Sequence, residues 1–159
     1  DIEKKWEEEW GNKCFFSHHR NKSAGVSIMF KIGLDFEVHN SIIDIDGRYI
    51  ILDLSLSSQR ITFVCLYGFN TDEPSFFNDI YKKMASFSNT SFLLCGDWNV
   101  VQDFHMDTYN ILHNRNLNSR NKIEEISQTF EFLDPWRTYH PDDKKFIWRQ
   151  TSPIKQSRL

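Results

Sequence analysis

The chain has 159 residues, of which 40% are hydrophobic and 15% aromatic, and this is enough apolar material for the core of one globular domain. Its three cysteines, Cys14, Cys65 and Cys95, lie far apart in apolar runs, which indicates reduced core thiols of an intracellular protein rather than a disulfide framework or a zinc site. No apolar run approaches the roughly 18 residues of a membrane span, so contact with a membrane is not expected.

The first part of the chain is predicted to be a short helix followed by strands. Ile2, Trp6 and Trp10 are four residues apart, which predicts a short amphipathic helix with Gly11 just past its end. The strands are expected to pair antiparallel, with a turn at HRNKSAG and a hairpin around Gly47. The β-rich runs are CFFSH, GVSIMFK, FEVHNSIIDI, RYIILDLSL and RITFVCLYGF.

The rest of the chain is predicted to alternate between helices and strands. Pro74 in a first turn, followed by apolar residues at helical spacing, predicts a helix over residues 74–86. The run SFLLCGDWNVV is continuously apolar at its start and is expected to be a buried central strand. A second helix is predicted in SRNKIEEISQTFEFL and a last strand in KFIWRQ. This order of elements predicts a layered α+β domain.

The predicted strand in SFLLCGDWNVV ends on a carboxylate and an amide two residues apart, Asp97 and Asn99. Groups at the mouth of a buried strand are held rigidly and can face a cleft at the end of the sheet. Aspartate there can accept a proton from water or help to hold a divalent cation, and asparagine can orient water or a phosphate oxygen. The pair suits phosphodiester hydrolysis, although both residues are also common in turns that follow strands.

Several stretches around this pair occur in a defined order and resemble the endonuclease domain of LINE-type non-LTR retrotransposons, in the endonuclease/exonuclease/phosphatase superfamily. They are AGVSIMF, GRYIILDLSL, VCLYGFNTDEPSFF, LLCGDWNVVQDFHMDTYN, LDPWRTYHP and FIWRQTSPIKQSRL. The resemblance implies a DNase I-like fold, a four-layered α/β sandwich of two packed β-sheets with outer helices. It spans residues 1–159, which we interpret as a partial domain without its first and last strands.

The resemblance implies catalytic roles for three residues. Tyr67 matches a tyrosine that contacts the scissile phosphate, Asp97 an aspartate that acts in proton transfer, and Asn99 an asparagine that orients water and phosphate. One Mg²⁺ ion, with Mn²⁺ as a substitute, is implied as the cofactor. Its glutamate ligand is expected upstream of Asp1, and a phosphate-binding histidine with its aspartate is expected beyond Leu159. We therefore assign no metal ligand here and expect the chain to be inactive by itself.

The implied partner is DNA, which the parent protein would nick in the nucleus, with a reverse transcriptase on the same parent chain. Residues 137–159 hold six basic residues and two acids, and a basic end can bind phosphate backbones, although solvated surface charge is the commoner explanation. Contacts to the backbone give affinity with little sequence choice. The candidates for such contacts are Arg120, Lys122, Lys145, Arg149, Lys155 and Arg158.

Other residues have more than one interpretation. His105 and Asp107 could face DNA or pack within the protein. Asp134 and Arg137 are expected to pair and fix the loop LDPWRTYHP, and Trp148 is expected to be buried.

Other functions share part of this chemistry. A phosphatase of inositol lipids or a sphingomyelinase would carry the same GDxN motif, and an abasic-site repair endonuclease is the nearest enzyme alternative. A decayed remnant of a transposable element, or a host-domesticated module that binds nucleic acid without cutting it, is the alternative from another class. The succession DPWR, HP and FxW, leading into SRL, favours the retrotransposon endonuclease.

Overall fold

The computed structural model describes residues 2–19, 24–87, 91–113 and 115–158. The predicted turn HRNKSAG lies largely outside these residues. The chain divides into two compact units. Unit 1 consists of Asp1–Tyr67 and Phe87–Asp97, and unit 2 consists of Gly68–Ser86 and Trp98–Leu159.

The described part of unit 1 contains one helix and six strands. They are α1 Ile2–Trp10, β1 Cys14–His18, β2 Gly25–Met29, β3 Phe36–Ile43, β4 Tyr49–Leu56, β5 Gln59–Tyr67 and β6 Ser91–Asp97. Strands β1 and β2 form an antiparallel ribbon, and the others form a sheet in the order β3-β4-β5-β6. The pairs β3–β4 and β4–β5 are antiparallel, as predicted, whereas β2 and β3 belong to separate sheets.

The apolar core of unit 1 lies on one face of β4. Ile50, Leu52 and Leu54 alternate along this strand and are fully buried, because the period of two directs them to the same side of the sheet. Phe30 packs on them and stacks on Phe36 with ring centroids 3.8 Å apart. Burying a side chain of this size stabilises a fold by about 1.5–3 kcal/mol.

The prediction of a buried central strand in SFLLCGDWNVV is wrong. Strand β6 pairs in parallel with β5 and is the last strand of its sheet among the described residues. Leu93 is therefore 50% exposed, and Cys95 is exposed rather than part of the core. A short apolar run has the same appearance in an edge strand and in a central strand, so the sequence pattern did not distinguish the two.

The described part of unit 2 contains three helices and a small antiparallel sheet. The elements are α2 Pro74–Ala85, β7 Thr108–Tyr109, α3 Leu117–Thr129, α4 Pro135–Tyr139, β8 Trp148–Thr151 and β9 Ile154–Ser157. The sheet has the order β7-β9-β8. Both predicted helices are present, but α3 ends before Phe130, and Leu133 is exposed. Trp148 is 41% exposed at the sheet edge, so the prediction of its burial is wrong.

Helices α2 and α3 contact each other through their apolar faces. Phe77, Ile80 and Met84 are the buried residues of α2, at the spacing of one helix face, and Ile123 and Ile126 are buried in α3. None of the helices in the described residues is long and apolar enough to cross a bilayer.

Candidate active site

Two of the three predicted catalytic residues end neighbouring strands of unit 1. Tyr67 is the last residue of β5 and Asp97 the last of β6, and the two are directly paired in the parallel register. Adjacent strands lie about 4.8 Å apart, and paired residues of parallel strands point to the same face of the sheet. Tyr67 is half-buried and Asp97 is exposed. The register of unit 1 thus places these two residues side by side at the strand ends.

Gly96 sets the geometry of the strand end immediately before Asp97. Its φ of +128° is one that side-chain-bearing residues rarely adopt, and a Cβ atom there would lie 1.9 Å from the carbonyl oxygen of Leu66. No other residue fits this position without moving β5 away from β6. The glycine of the GDWN stretch therefore maintains the close pairing that places Asp97 next to Tyr67.

Arg48, in the connection between β3 and β4, holds Tyr67 in position. Its guanidinium carbon lies 5.1 Å from the centroid of the Tyr67 ring, and its Nη1 donates a long hydrogen bond of 3.5 Å to the Tyr67 carbonyl oxygen. The backbone NH of Arg48 donates to Oδ2 of Asp44 at 2.9 Å. A cation on an aromatic face is attracted by the ring quadrupole, so Arg48 orients the ring and places positive charge beside it. Sequence reasoning missed this residue, although it lies in the quoted stretch GRYIILDLSL.

Asn99, the third predicted catalytic residue, lies in unit 2 and is fixed by hydrogen bonds there. Its backbone has a left-handed φ of +54°, which asparagine tolerates better than most residues. Its side-chain Nδ2 donates to the carbonyl oxygen of Gly68 at 3.0 Å, and its own carbonyl oxygen accepts from Nδ2 of Asn116 at 3.0 Å. The amide of Asn99 is therefore oriented before any substrate binds. Gly68 and Asn116 are supporting residues that the motif did not reveal.

The tryptophan between the two polar residues anchors the loop to unit 2. The ring of Trp98 is nearly parallel to that of Phe77 in α2, with an interplanar angle of 8° and centroids 6.1 Å apart. A Cβ atom on Gly68 would lie 2.0 Å from the Trp98 carbonyl oxygen, so the backbone at residue 68 must be glycine to lie this close. Apolar packing of Trp98 thus positions the backbone that leads to Asn99.

Two of the predicted DNA-contacting residues lie on α3 and already bind partners in unit 2. Nε of Arg120 donates to the carbonyl oxygen of Val101 at 2.6 Å, and Nζ of Lys122 lies 2.5 Å from Oε2 of Glu125. A phosphate would have to compete with these contacts.

Arg158, a third predicted DNA-contacting residue, belongs to a cluster of four charged side chains, which we call the Asp107 cluster: Asp107, Asp134, Arg137 and Arg158. Asp107 is buried, with its Oδ1 2.5 Å from Nη2 of Arg137 and 3.6 Å from Nη1 of Arg158. Asp107 therefore packs within the protein. Arg158 also donates to Oδ2 of Asp134 at 2.6 Å. Burial would raise the pKa of Asp134, but the hydrogen bond from Arg158 and further donors outweigh it and hold that pKa below its usual value.

Asp134 and Arg137 pair as predicted, but through the backbone NH of Arg137 and not through its guanidinium. The guanidinium of Arg137 binds Asp107 and nearby carbonyl oxygens, and only its backbone NH donates to Oδ1 of Asp134, at 3.0 Å. Asp134 is instead the N-cap of α4, the role that aspartate commonly fills at helix starts.

The other three predicted DNA-contacting residues lie in or next to the small sheet of unit 2. Lys145 precedes β8 and is exposed, Arg149 is exposed in β8, and Lys155 is half-buried in β9. The guanidinium of Arg149 faces the side-chain amide of Gln156 on the neighbouring strand. Lys145 and Arg149 are thus the most accessible of the six candidates.

The described residues do not fit a complete metal site. No group of three or more His, Cys, Asp or Glu residues within them is arranged to hold a metal ion. Among the three predicted catalytic residues, only Asp97 has a carboxylate. One carboxylate offers too few oxygen ligands for tight binding of Mg²⁺.

One known protein with a similar sequence comes from a transposon. Over 164 residues, which include the whole chain, the sequence is 25% identical to an uncharacterized 149 kDa protein of transposon TX1 from Xenopus laevis. The chain spans 12% of that protein's length. No family model matches the chain.

Two solved structures that resemble this chain are endonucleases. The crystal structure of the AP endonuclease LMAP from Leishmania major superimposes with a TM-score of 0.65 at 16% identity, covering 91% of this chain and 62% of LMAP. The chain has a DNase I-like fold. The endonuclease domain of TRAS1, a telomere-specific non-LTR retrotransposon, superimposes with a TM-score of 0.62 at 13% identity, covering 92% of this chain and 64% of that domain.

The DNase I-like fold confirms the α+β class, with mixed sheets and helices, that the sequence predicted. The transposon protein and both structures also fit the resemblance to the endonuclease domain of LINE-type retrotransposons that the sequence indicated. The chain spans less than two thirds of each of these relatives.

Proposed function

We propose that this chain is part of an endonuclease that nicks target DNA for retrotransposition by hydrolysing a phosphodiester bond. The observation that carries the proposal is the pairing of Tyr67 with Asp97 at the ends of two adjacent parallel strands. The chain continues from this pair, two residues later, to Asn99, whose amide is held in one orientation. Similarity to proteins of the TX1 and TRAS1 transposable elements supports the retrotransposon context.

Each of these residues has a role in the proposed hydrolysis. Water must lose a proton as it attacks phosphorus, and the 3′ oxygen must leave; the Asp97 carboxylate accepts or passes on a proton in this exchange. The Tyr67 phenol donates a hydrogen bond to a phosphate oxygen, and Asn99 orients the water or the phosphate. Arg48 places a positive charge beside Tyr67, where it favours a phosphate bound at the strand ends.

We propose Mg²⁺ as the cofactor, with Mn²⁺ able to replace it. When bound, the cation would polarise the phosphate and stabilise the leaving oxygen. Because the described residues supply too few ligands, the glutamate implied by the family resemblance would come from outside this sequence, as would the phosphate-binding histidine. We therefore propose that a chain completed with these parts nicks DNA and that the 159-residue chain alone does not.

The proposed partner is DNA, and the proposed place of action is the nucleus, with a reverse transcriptase on the same parent chain. Lys145, Arg149 and Lys155 are the proposed backbone contacts in the small sheet. Arg120, Lys122 and Arg158 would contribute only after exchanging their present partners for phosphate.

The proposal is tested by nicking of supercoiled plasmid in the presence of Mg²⁺. The chain is extended at both ends with the parent coding sequence and compared with its Asp97→Ala variant. Losing a proton-transfer group is expected to slow nicking about 10²–10⁴-fold. Asp79→Ala, which removes an exposed carboxylate in α2, is the matched control and should leave the rate unchanged. A completed domain that binds DNA and never nicks it would instead support the binding-module alternative.

A second candidate function is cleavage at abasic sites, because LMAP is an AP endonuclease. The two functions differ in substrate preference. A duplex with one abasic site is compared with an intact duplex of the same sequence, using the completed chain. Similar rates on both would support the retrotransposon function, and a strong preference for the abasic duplex would support the repair function.

A further inference from the structure

Two cysteines lie side by side in the sheet of unit 1. Cys65 of β5 and Cys95 of β6 are direct partners in the parallel register, and both are reduced. Adjacent strands are about 4.8 Å apart, a separation within the range of roughly 4.4–6.8 Å that Cα atoms span in disulfides. Side chains of paired residues in parallel strands point to the same face. The backbone thus places the two thiols where a bond between them can form.

The two thiols differ in reactivity. The hydrogen bond between them lowers the pKa of Cys95 to about 7 and, together with burial, raises the pKa of Cys65. Cys95 is exposed and Cys65 is half-buried. The thiolate is the nucleophilic form of cysteine, so Cys95 is the thiol that can react first with a molecule in solution. Cys14 provides a contrast, since it is buried and burial raises its pKa.

We propose that Cys65 and Cys95 form a dithiol site that is oxidised to a disulfide by a low-molecular-weight disulfide such as oxidised glutathione. The Cys95 thiolate attacks one sulfur of the co-reactant, forms a mixed disulfide and releases one thiolate. Cys65 then loses its proton, attacks Sγ of Cys95 and releases the second thiolate. The protein loses two electrons and two protons, and the co-reactant is reduced to two thiols.

The bond would join β5 and β6 close to the predicted catalytic pair. Tyr67 and Asp97 each lie two residues further along these strands, and Tyr67 lies on the same face of β5 as Cys65 because side chains alternate with a period of two. The proposed disulfide does not depend on the proposed endonuclease activity. It requires only that β5 and β6 pair as observed.

The test is a redox titration of the protein against mixtures of oxidised and reduced glutathione. Thiols that remain are alkylated, and tryptic peptides are identified by mass spectrometry; cleavage after Lys13, Arg60 and Lys83 places the three cysteines on separate peptides. We expect one disulfide, which joins the peptides of Cys65 and Cys95, while Cys14 stays alkylated. Absence of this linkage at the most oxidising ratio, or equally frequent linkage to Cys14, would overturn the proposal.

Serine variants test the order of the two steps. Cys65→Ser keeps the proposed attacking thiol and removes the second, so the reaction should stop at a mixed disulfide between Cys95 and glutathione. Cys95→Ser should leave Cys65 alkylated. The matched control Cys14→Ser should keep the midpoint of the wild-type titration. If Cys95 stays unmodified in Cys65→Ser while the wild type is also unreactive, Cys95 is not a nucleophile and the proposal is wrong.

Discussion

Units 1 and 2 rely on apolar packing and on charged groups to different extents, although unit 1 also has one buried carboxylate, Asp53, that binds Arg60. The core of unit 1 consists of apolar side chains that alternate along β4 and pack on Phe30. Unit 2 has an apolar contact between α2 and α3, but its loops and short elements are joined by charged groups, chiefly the Asp107 cluster and Asp72. Apolar burial is non-directional and largely independent of pH, whereas ion pairs and caps depend on geometry and on charge. The contrast predicts that the two units respond to different perturbations.

The largest effect is expected from a cavity in the core of unit 1. Leu52→Ala should lower the free energy of unfolding by about 3 kcal/mol, because Leu52 is fully buried and truncation leaves a cavity. Urea denaturation measures the change, and hydrogen exchange of β4 and β5 locates it. Leu93→Ala, the same substitution at a half-exposed position, should cost less than about 1 kcal/mol. Equal losses in both variants would mean that the face of β4 is not the core.

A smaller but still large effect is expected from removing the central charge of the Asp107 cluster. Asp107→Asn keeps the shape of the side chain but removes the buried counter-charge of Arg137, while Arg158 keeps its contact with Asp134, and we expect a loss of about 2–3 kcal/mol. Asp79→Asn, which removes one partner of the exposed pair with Lys83, should change stability by less than about 0.5 kcal/mol. If Asp107→Asn and Asp79→Asn were equally stable, the Asp107 cluster would not be a main source of stability in unit 2.

The sequence predicted those helices and strands that leave a signal within their own residues. The helix at residues 2–10, the strands up to Tyr67 and the helix beginning at Pro74 follow from periodicity and from turn or cap residues. The edge position of β6 could not be predicted, because it depends on which strands pair and not on the run itself. Strand β7 and helix α4 are too short to leave a periodic pattern.

The candidate site was predictable only in part, because it also depends on which distant parts of the chain lie next to each other. The motif around GDWN predicted Asp97 and Asn99 as candidate residues, and the family resemblance predicted Tyr67. Contacts between residues far apart in sequence were not predictable from one chain. Arg48 lies 19 residues from Tyr67, whose carbonyl oxygen it contacts, and the counter-charge of Arg137 lies 30 residues away at Asp107.

The smallest effect is expected at the start of α3, which has a cap from a distant residue. Its own N-cap, Asn116, makes no capping hydrogen bond through its side chain, and Asp72 instead accepts from the backbone NH groups of Asn118 and Ser119, at 3.2 and 2.8 Å. Asp72→Ala should therefore cost about 1 kcal/mol, the usual value of a helix cap. Asp142→Ala, at another exposed aspartate of unit 2, is the control and should be near neutral.

Acid should remove the stabilisation that Asp72 gives to α3. This distinguishes a charged helix cap from a side chain that acts through packing. Desolvation would raise the pKa of Asp72, but the hydrogen bonds from Ser119 and Asn118 outweigh it and hold the pKa below its usual value. A carboxyl group whose pKa is lower in the folded state stabilises fully above its unfolded pKa, about 3.9, and loses that contribution as the pH falls through the folded value. The stability difference between wild type and Asp72→Ala should thus be constant above about pH 5 and shrink below about pH 4. A difference that persisted in acid would mean that Asp72 acts through packing, and the contrast with unit 1 would then rest on the Asp107 cluster alone.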